Sequence, residues 1–306
     1  MEGIRISNKE YRSREGVSSS ELKKLMKSPM HYKHYKENPQ EDTPSLLFGR
    51  AAHKYVLETY DFYDEFEVAK DFKYLTKADK EETQDFICKK AIEVGRENEW
   101  NEFLSKKPKK DDVVAFYSSL IGDKDVITQE QFEQIEEMRN AAYATPFVAK
   151  LLNGDKELSF WGKDEDTGLI TKCRPDAIVE FNGRHILVDY KTCTDAENTK
   201  FYRDSIKYGY DLQLAYYRDI LKQNTGLDYD VVIIAQEKSA PYVTNVFQLS
   251  ENYLESGRAL YKQMLKVYKE CLETDNWYGY MKDGINILGQ PDDEDDEDDE
   301  DVESEE

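Results

Sequence analysis

The dipeptide Asn182-Gly183 lies between two apolar-rich segments, Pro175–Phe181 and Arg184–Tyr190, and constrains this chain more than any other feature. A two-residue loop of that composition supplies the positive φ angles of a tight hairpin turn, so the two segments pair as antiparallel strands. It also sets the register: 181 lies opposite 184, 178 opposite 187, and 176 opposite 189. Asp176 therefore faces Asp189, with Cβ atoms about 4.5–5.5 Å apart. Side chains alternate along a strand, so Lys191 shares their face. Ala177-Ile-Val179 and Ile186-Leu-Val188 read as buried on both sides.

Two carboxylates opposed in a buried hairpin repel one another. A divalent cation between them removes that cost, and hard oxygen ligands suit magnesium or manganese. A lysine two residues along can offset charge, orient a water and stabilise the charge that grows on a phosphate. Glu157, one strand earlier, can supply a further oxygen. The plainer reading makes Asp176 a turn residue and Asp189 a strand end, each paired with Arg174 or Lys191. Register, shared face and the following lysine together favour the chemical reading.

Around the hairpin the pattern is mixed. Ser18-Ser-Ser-Glu21 forms a capping box ahead of Leu22, Leu25 and Met26. Pro29 opens a short helix carrying His31, Tyr32, His34 and Tyr35, and 46–58 has helical spacing. Residues 77–122 read as mostly helical, and Thr128-Gln-Glu-Gln131 caps a helix running to about Ala144. From Lys156 the character changes. Glu157–Lys163 and Leu169–Arg174 alternate as strands, helices follow at 195–208 and 211–224, and Val231–Gln236 pairs with Val243–Leu249. An amphipathic helix spans 250–273. These elements predict an α/β fold with a helical N-terminal portion, 1–155, and a core, 156–290, in one domain.

The net charge of −22 argues against nucleic acid until it is divided. Thirteen acids and no base lie in 292–306, so setting that run aside takes −22 to −9. Such a run reads as a disordered, solvated tail over 291–306. Residues 1–40 hold nine Lys or Arg against five Glu. Net charge bears on solubility rather than on the potential of a cleft. The four cysteines lack paired spacing, which excludes a zinc or iron–sulfur motif and leaves free thiols. No apolar run reaches membrane-spanning length, and the N-terminus lacks a signal-peptide core, so a cytoplasmic protein is expected.

Arg174-Pro-Asp176 followed by Asp189-Tyr-Lys191 resembles the PD-(D/E)XK nuclease core, with aspartate in the D/E slot. Gly16-Val-Ser-Ser-Ser20 with Ser28-Pro-Met-His-Tyr32, Leu47-Phe-Gly-Arg-Ala-Ala-His53 and Gln213-Leu-Ala-Tyr-Tyr217 narrow the likeness. They resemble the phage and prophage exonuclease VIII (RecE-like, RecB-related) branch, and Trp277-Tyr-Gly-Tyr280 resembles the usual end of that domain. The resemblance implies a central mixed β-sheet flanked by helices. It implies a metal, Mg²⁺ with Mn²⁺ as substitute, held by His53, Asp176, Asp189 and the backbone carbonyl of Tyr190. Lys191 positions the attacking water, and Glu157 sits just behind the metal. Gln213 and Tyr217, one helical turn apart, contact DNA together with Arg174. The implied activity is digestion of linear double-stranded DNA from 5′ ends. That leaves 3′ strands for a RecT-type annealing protein, and the enzyme is a homo-oligomer. A structure-specific endonuclease and an inactive DNA-end-binding protein are the alternatives on the same core. The acidic tail is not part of the family pattern.

Overall fold

A computed structural model describes residues 3–38, 43–69, 72 and 75–283. The acidic run 291–306 and the last residues of the expected 1–290 domain lie outside the described residues. The strands, in chain order, are β1 (Val17–Ser18), β2 (Phe66–Ala69), β3 (Asp125–Thr128), β4 (Asp155–Lys156), β5 (Phe160–Lys163), β6 (Ile170–Cys173), β7 (Ala177–Phe181), β8 (Arg184–Cys193), β9 (Tyr229–Glu237) and β10 (Thr244–Gln248).

The main sheet has the order β10-β9-β8-β7-β4 and is mixed: β8 runs parallel to β9, and the other neighbours are antiparallel. The β7–β8 ladder pairs Ala177 with Val188 and Phe181 with Arg184, as the Asn182-Gly183 turn requires. A parallel β8–β9 pair needs a crossover, which helices Asn198–Lys207 and Tyr210–Thr225 provide. Ile186 to Tyr190 of β8 and Val231 to Gln236 of β9 are buried throughout, because helices cover both faces. On one face Leu187, Val231, Ile233 and Ala235 share a core with Leu212, Leu214, Leu254 and Leu265 of the helices Tyr210–Thr225 and Glu251–Thr274. On the other, Val188, Tyr190, Val232 and Ile234 pack with Val56, Ala142, Val148 and Leu151 from helices earlier in the chain. The result is a mixed sheet between helical layers. Gly257 lets helix Glu251–Thr274 cross the start of helix Tyr210–Thr225, since a Cβ there would lie 2.1 Å from the Asp211 carbonyl oxygen.

The helical N-terminal portion also carries short strands: β2 and β3 form a parallel pair, and β1 adds in parallel to β6, which pairs with β5 in a separate three-stranded sheet. One sequence expectation is corrected. Residues 157–163 are not one strand. The chain leaves the main sheet at Lys156, passes through Glu157 at φ +54°, and enters the second sheet at Phe160. A left-handed glutamate is uncommon, and here the surrounding contacts hold it. Beyond the last helix Trp277 stacks on Tyr32, ring centroids 5.7 Å apart, and the Met30 N–H donates to the Tyr278 carbonyl at 2.9 Å.

Candidate active site

Asp176 sits one residue before β7, where the hairpin register brings it level with Asp189. The Tyr190 N–H donates to Asp176 Oδ2 at 2.6 Å, and His53 Nε2 lies 3.0 Å from Asp176 Oδ1. His53 comes from helix Pro44–Leu57, which Pro44 opens, the Thr43 hydroxyl caps, and fully buried Ala51 and Ala52 seat against the core. Glu157 approaches from the break between β4 and β5. Its Oε1 is 3.9 Å from His53 Nδ1, and its Oε2 is 2.7 Å from Arg174 Nε. Each of His53, Glu157 and Asp176 offers a ligand atom, and these atoms lie within 4.8 Å of one another.

Asp189 belongs to a second group. It is wholly buried; Lys191 Nζ is 2.7 Å from Oδ2, and Gln213 Nε2 donates to Oδ1 at 3.2 Å. Lys23 Nζ donates to Gln213 Oε1 at 2.7 Å. An ammonium only donates, so Lys23 fixes which end of the Gln213 amide faces Asp189. Tyr190 contributes backbone to the site, while its hydroxyl reaches away to Gln236 Oε1 at 2.5 Å. Arg174 is buried against Glu157, which sets it apart from the solvent-facing cations of the cleft. Tyr217, one turn beyond Gln213, packs on the core with its hydroxyl near Ser19.

The electrostatics separate the two groups. Burial works against the His53 imidazolium, but Asp176 and Glu157 prevail and lift its pKa to about 9. Burial raises Glu157 to about 7, with His53 and Arg174 opposing. Burial pushes Asp176 up too, yet His53, Lys191 and the Tyr190 N–H together bring it below the ordinary carboxylate value. Burial leaves Asp189 raised, aided by Asp176 and resisted by Lys191. Burial disfavours the Lys191 charge, but Asp189 and Asp176 hold it above the usual lysine range. Glu157 and Asp176 about the His53 imidazole, with buried Asp189 on the adjoining strand, form an oxygen-rich donor set that fits a hard divalent ion.

Above the site lies a cavity of about 840 Å³ lined by nine Lys or Arg and four Asp or Glu, opposite in sign to the chain as a whole. Lys54 is paired with Glu58 and Glu65, Arg50 with Asp125, Arg174 with Glu157, and Lys191 with Asp189. Arg12, Lys23, Lys24, Lys207 and Lys238 carry the rest of the positive field. A cleft focuses such a field on an anionic ligand regardless of net charge. Lys23 and the tyrosines Tyr208 and Tyr210, which also line this cavity, could not be read from sequence. The capping box and the Leu22/Leu25 stripe place Lys23 on a helix, but nothing local says it reaches a residue 190 positions away.

A mixed sheet that presents an aspartate at a hairpin mouth, opposite a buried Asp-x-Lys, defines the PD-(D/E)XK nuclease fold. Residues 18–283 match the family model described as PDDEXK-like domain of unknown function (DUF3799), and the chain belongs to that family. The crystal structure of a "putative exonuclease" from Eubacterium rectale superposes with a TM-score of 0.56 at 17% identity, covering 94% of this chain and 96% of its own. At that identity the likeness speaks for the fold alone. The structure of SSO0001 aligns with a TM-score of 0.27 at 13% identity over 71% of this chain and 85% of its own, too weak to argue from. No curated protein matches the chain. Among the described residues, no helix is long and apolar enough to cross a membrane.

Proposed function

We propose that the protein is a divalent-metal-dependent exodeoxyribonuclease that degrades linear double-stranded DNA from its ends. One observation carries the reading: the His53, Glu157 and Asp176 cluster adjoins the Asp189–Lys191 pair at the foot of a cleft whose lining is cationic in an acidic protein. His53, Glu157 and Asp176 would hold the ion, with Asp189 on the adjoining strand as a further oxygen ligand, Mg²⁺ the fitting species and Mn²⁺ a substitute. When bound, the ion polarises the scissile phosphate and makes water a competent nucleophile near neutral pH. Lys191 is fixed on β8 with its ammonium directed by Asp189, so it can align that water and offset charge developing on the phosphate. Gln213 keeps Asp189 from rotating, and the cations of the cleft draw the phosphate backbone in.

Polarity from 5′ ends, an oligomeric state above monomer and supply of 3′ strands to an annealing protein are further parts of the reading. They rest on the motif resemblance. The test is digestion of end-labelled linear duplex beside closed circular duplex in Mg²⁺. Release of nucleotides from linear DNA alone is expected; cleavage of the circle would establish an endonuclease instead, and no cleavage of either an inactive binder.

A further inference from the structure

One wall of the cavity carries aromatic rings that the metal chemistry does not use. Helix Asn198–Lys207 ends at Tyr208, the chain turns through Gly209 at φ +63°, and helix Tyr210–Thr225 begins at once. This abrupt turn brings Tyr208 and Tyr210 side by side, ring centroids 6.0 Å apart and inclined by 31°. Gly209 is required twice over: by its backbone angle, and because a Cβ would meet the Lys23 stem at 3.1 Å. The Tyr210 ring has Lys191 Nζ 5.4 Å and Lys23 Nζ 5.5 Å from its centroid, while Lys207 Nζ lies 5.6 Å from the Tyr208 centroid. Tyr210 is half-buried against the site, whereas Tyr208 is 51% exposed at its mouth. The two rings make a step leading from Lys191 to solvent, with an ammonium beside each. Among the described residues, Asp204 is the one acid on this wall.

A strand of nucleic acid alternates flat bases with anionic phosphates, and protein surfaces that grip unpaired strands match it with aromatic rings interleaved with cations. A base inside a duplex is stacked on both faces and cannot use an exposed ring. We infer that Tyr208, backed by Tyr210, is a stacking platform for an unpaired base of the strand whose phosphate enters the site, with Lys207 on the neighbouring phosphate. The inference rests on the nuclease reading for its substrate. It makes the preferred substrate a frayed or single-stranded end rather than an intact blunt one.

The test is fluorescence anisotropy of the full chain in a chelator, so that nothing is cut. The probes are an internally labelled oligothymidylate and the same backbone carrying abasic residues. The normal protein should bind the thymidylate more tightly. Tyr208→Ala should erase that preference with a loss of roughly 5- to 100-fold on thymidylate and little on the abasic strand. Tyr208→Trp should keep it. Tyr202→Ala serves as control: that tyrosine is exposed on the same helix but beside Tyr253, outside the cavity. Equal loss on both probes, or none on either, would overturn the platform. If the preference follows Tyr208 while Mg²⁺ supports no cleavage of any DNA, the platform stands and the nuclease reading falls.

Discussion

The site has two halves built on different principles. The half containing His53, Glu157 and Asp176 comes from a helix, a strand break and a hairpin mouth, and its members press negative and ionisable groups together. The half containing Asp189, Lys191, Gln213 and Lys23 alternates acceptor and donor, so each charged or polar group has an opposite neighbour. The first is short of positive charge; the second sets two ammoniums beside its one carboxylate. Contacts from Lys191 and Gln213 hold Asp189 in place, while its Oδ2, which has no aligned hydrogen bond, is left to the ion. The second half therefore sets geometry around the ion that the first half attracts.

The sharpest way to break this division is to cut each half in turn. Lys191→Ala and Asp189→Ala should each lower the cleavage rate by about three orders of magnitude, since several kcal/mol of transition-state stabilisation are lost and each 1.36 kcal/mol is tenfold. Circular dichroism should show the fold intact. Extra metal should not rescue Lys191→Ala, because its defect lies in positioning. Glu157→Gln keeps size and removes a charge from the metal half. It should weaken Mn²⁺ binding by about 10- to 100-fold, and raising Mn²⁺ should restore much of the activity. Rescue of both variants, or of neither, would show that the halves do not divide the work.

The pH dependence sharpens the same contrast. Burial opposes the His53 imidazolium, but Asp176 and Glu157 lift its pKa from 6.5 to about 9. Metal-free, this pairing stabilises the fold in full below pH about 6.5, and the contribution is lost as pH rises through about 9. A metal needs neutral imidazole, so binding must release the proton. Mn²⁺ affinity should therefore climb with pH across that window, by up to about tenfold per unit. Titration calorimetry in two buffers of different ionisation enthalpy would reveal the released proton. A flat profile would remove His53 from the ligand set.

The sequence made the hairpin legible because its register is a local property of two residues: Asn182-Gly183 places Asp176 level with Asp189 whatever the rest of the chain does. The helix of His53, the capping boxes at Ser18 and Thr128, and the buried strand of Val231 were likewise readable from short-range signals. Glu157 was legible as a carboxylate near the core but not in its conformation. Alternation extends through residues 157–163, and the break depends on Arg174, which grips both the Glu157 carboxylate and its carbonyl oxygen. The pairing of β1 with β6 and of β2 with β3 was hidden because strands of two to four residues carry no period of their own. The Lys23–Gln213 contact is a purely tertiary fact.

That contact gives the smallest expected effect and the finest cut through the half built on Asp189 and Lys191. Lys23 presents its ammonium to the Gln213 oxygen, so the amide nitrogen turns toward Asp189. Lys23→Met removes the reason for that orientation. A hydrogen bond to a charged group is worth about 1.5–3 kcal/mol, of which only the part felt by Asp189 reaches the chemistry, so a loss of about tenfold, roughly 1.4 kcal/mol, is the upper expectation for kcat. Lys23→Arg, which still donates, should recover most of it. The decisive measurement is the double variant. If Lys23 acts through Gln213, then Lys23→Met should cost little more once Gln213→Ala is present. Additive losses would mean that Lys23 touches the substrate on its own account, and the chain from Lys23 to Asp189 would then be two separate contacts rather than one support.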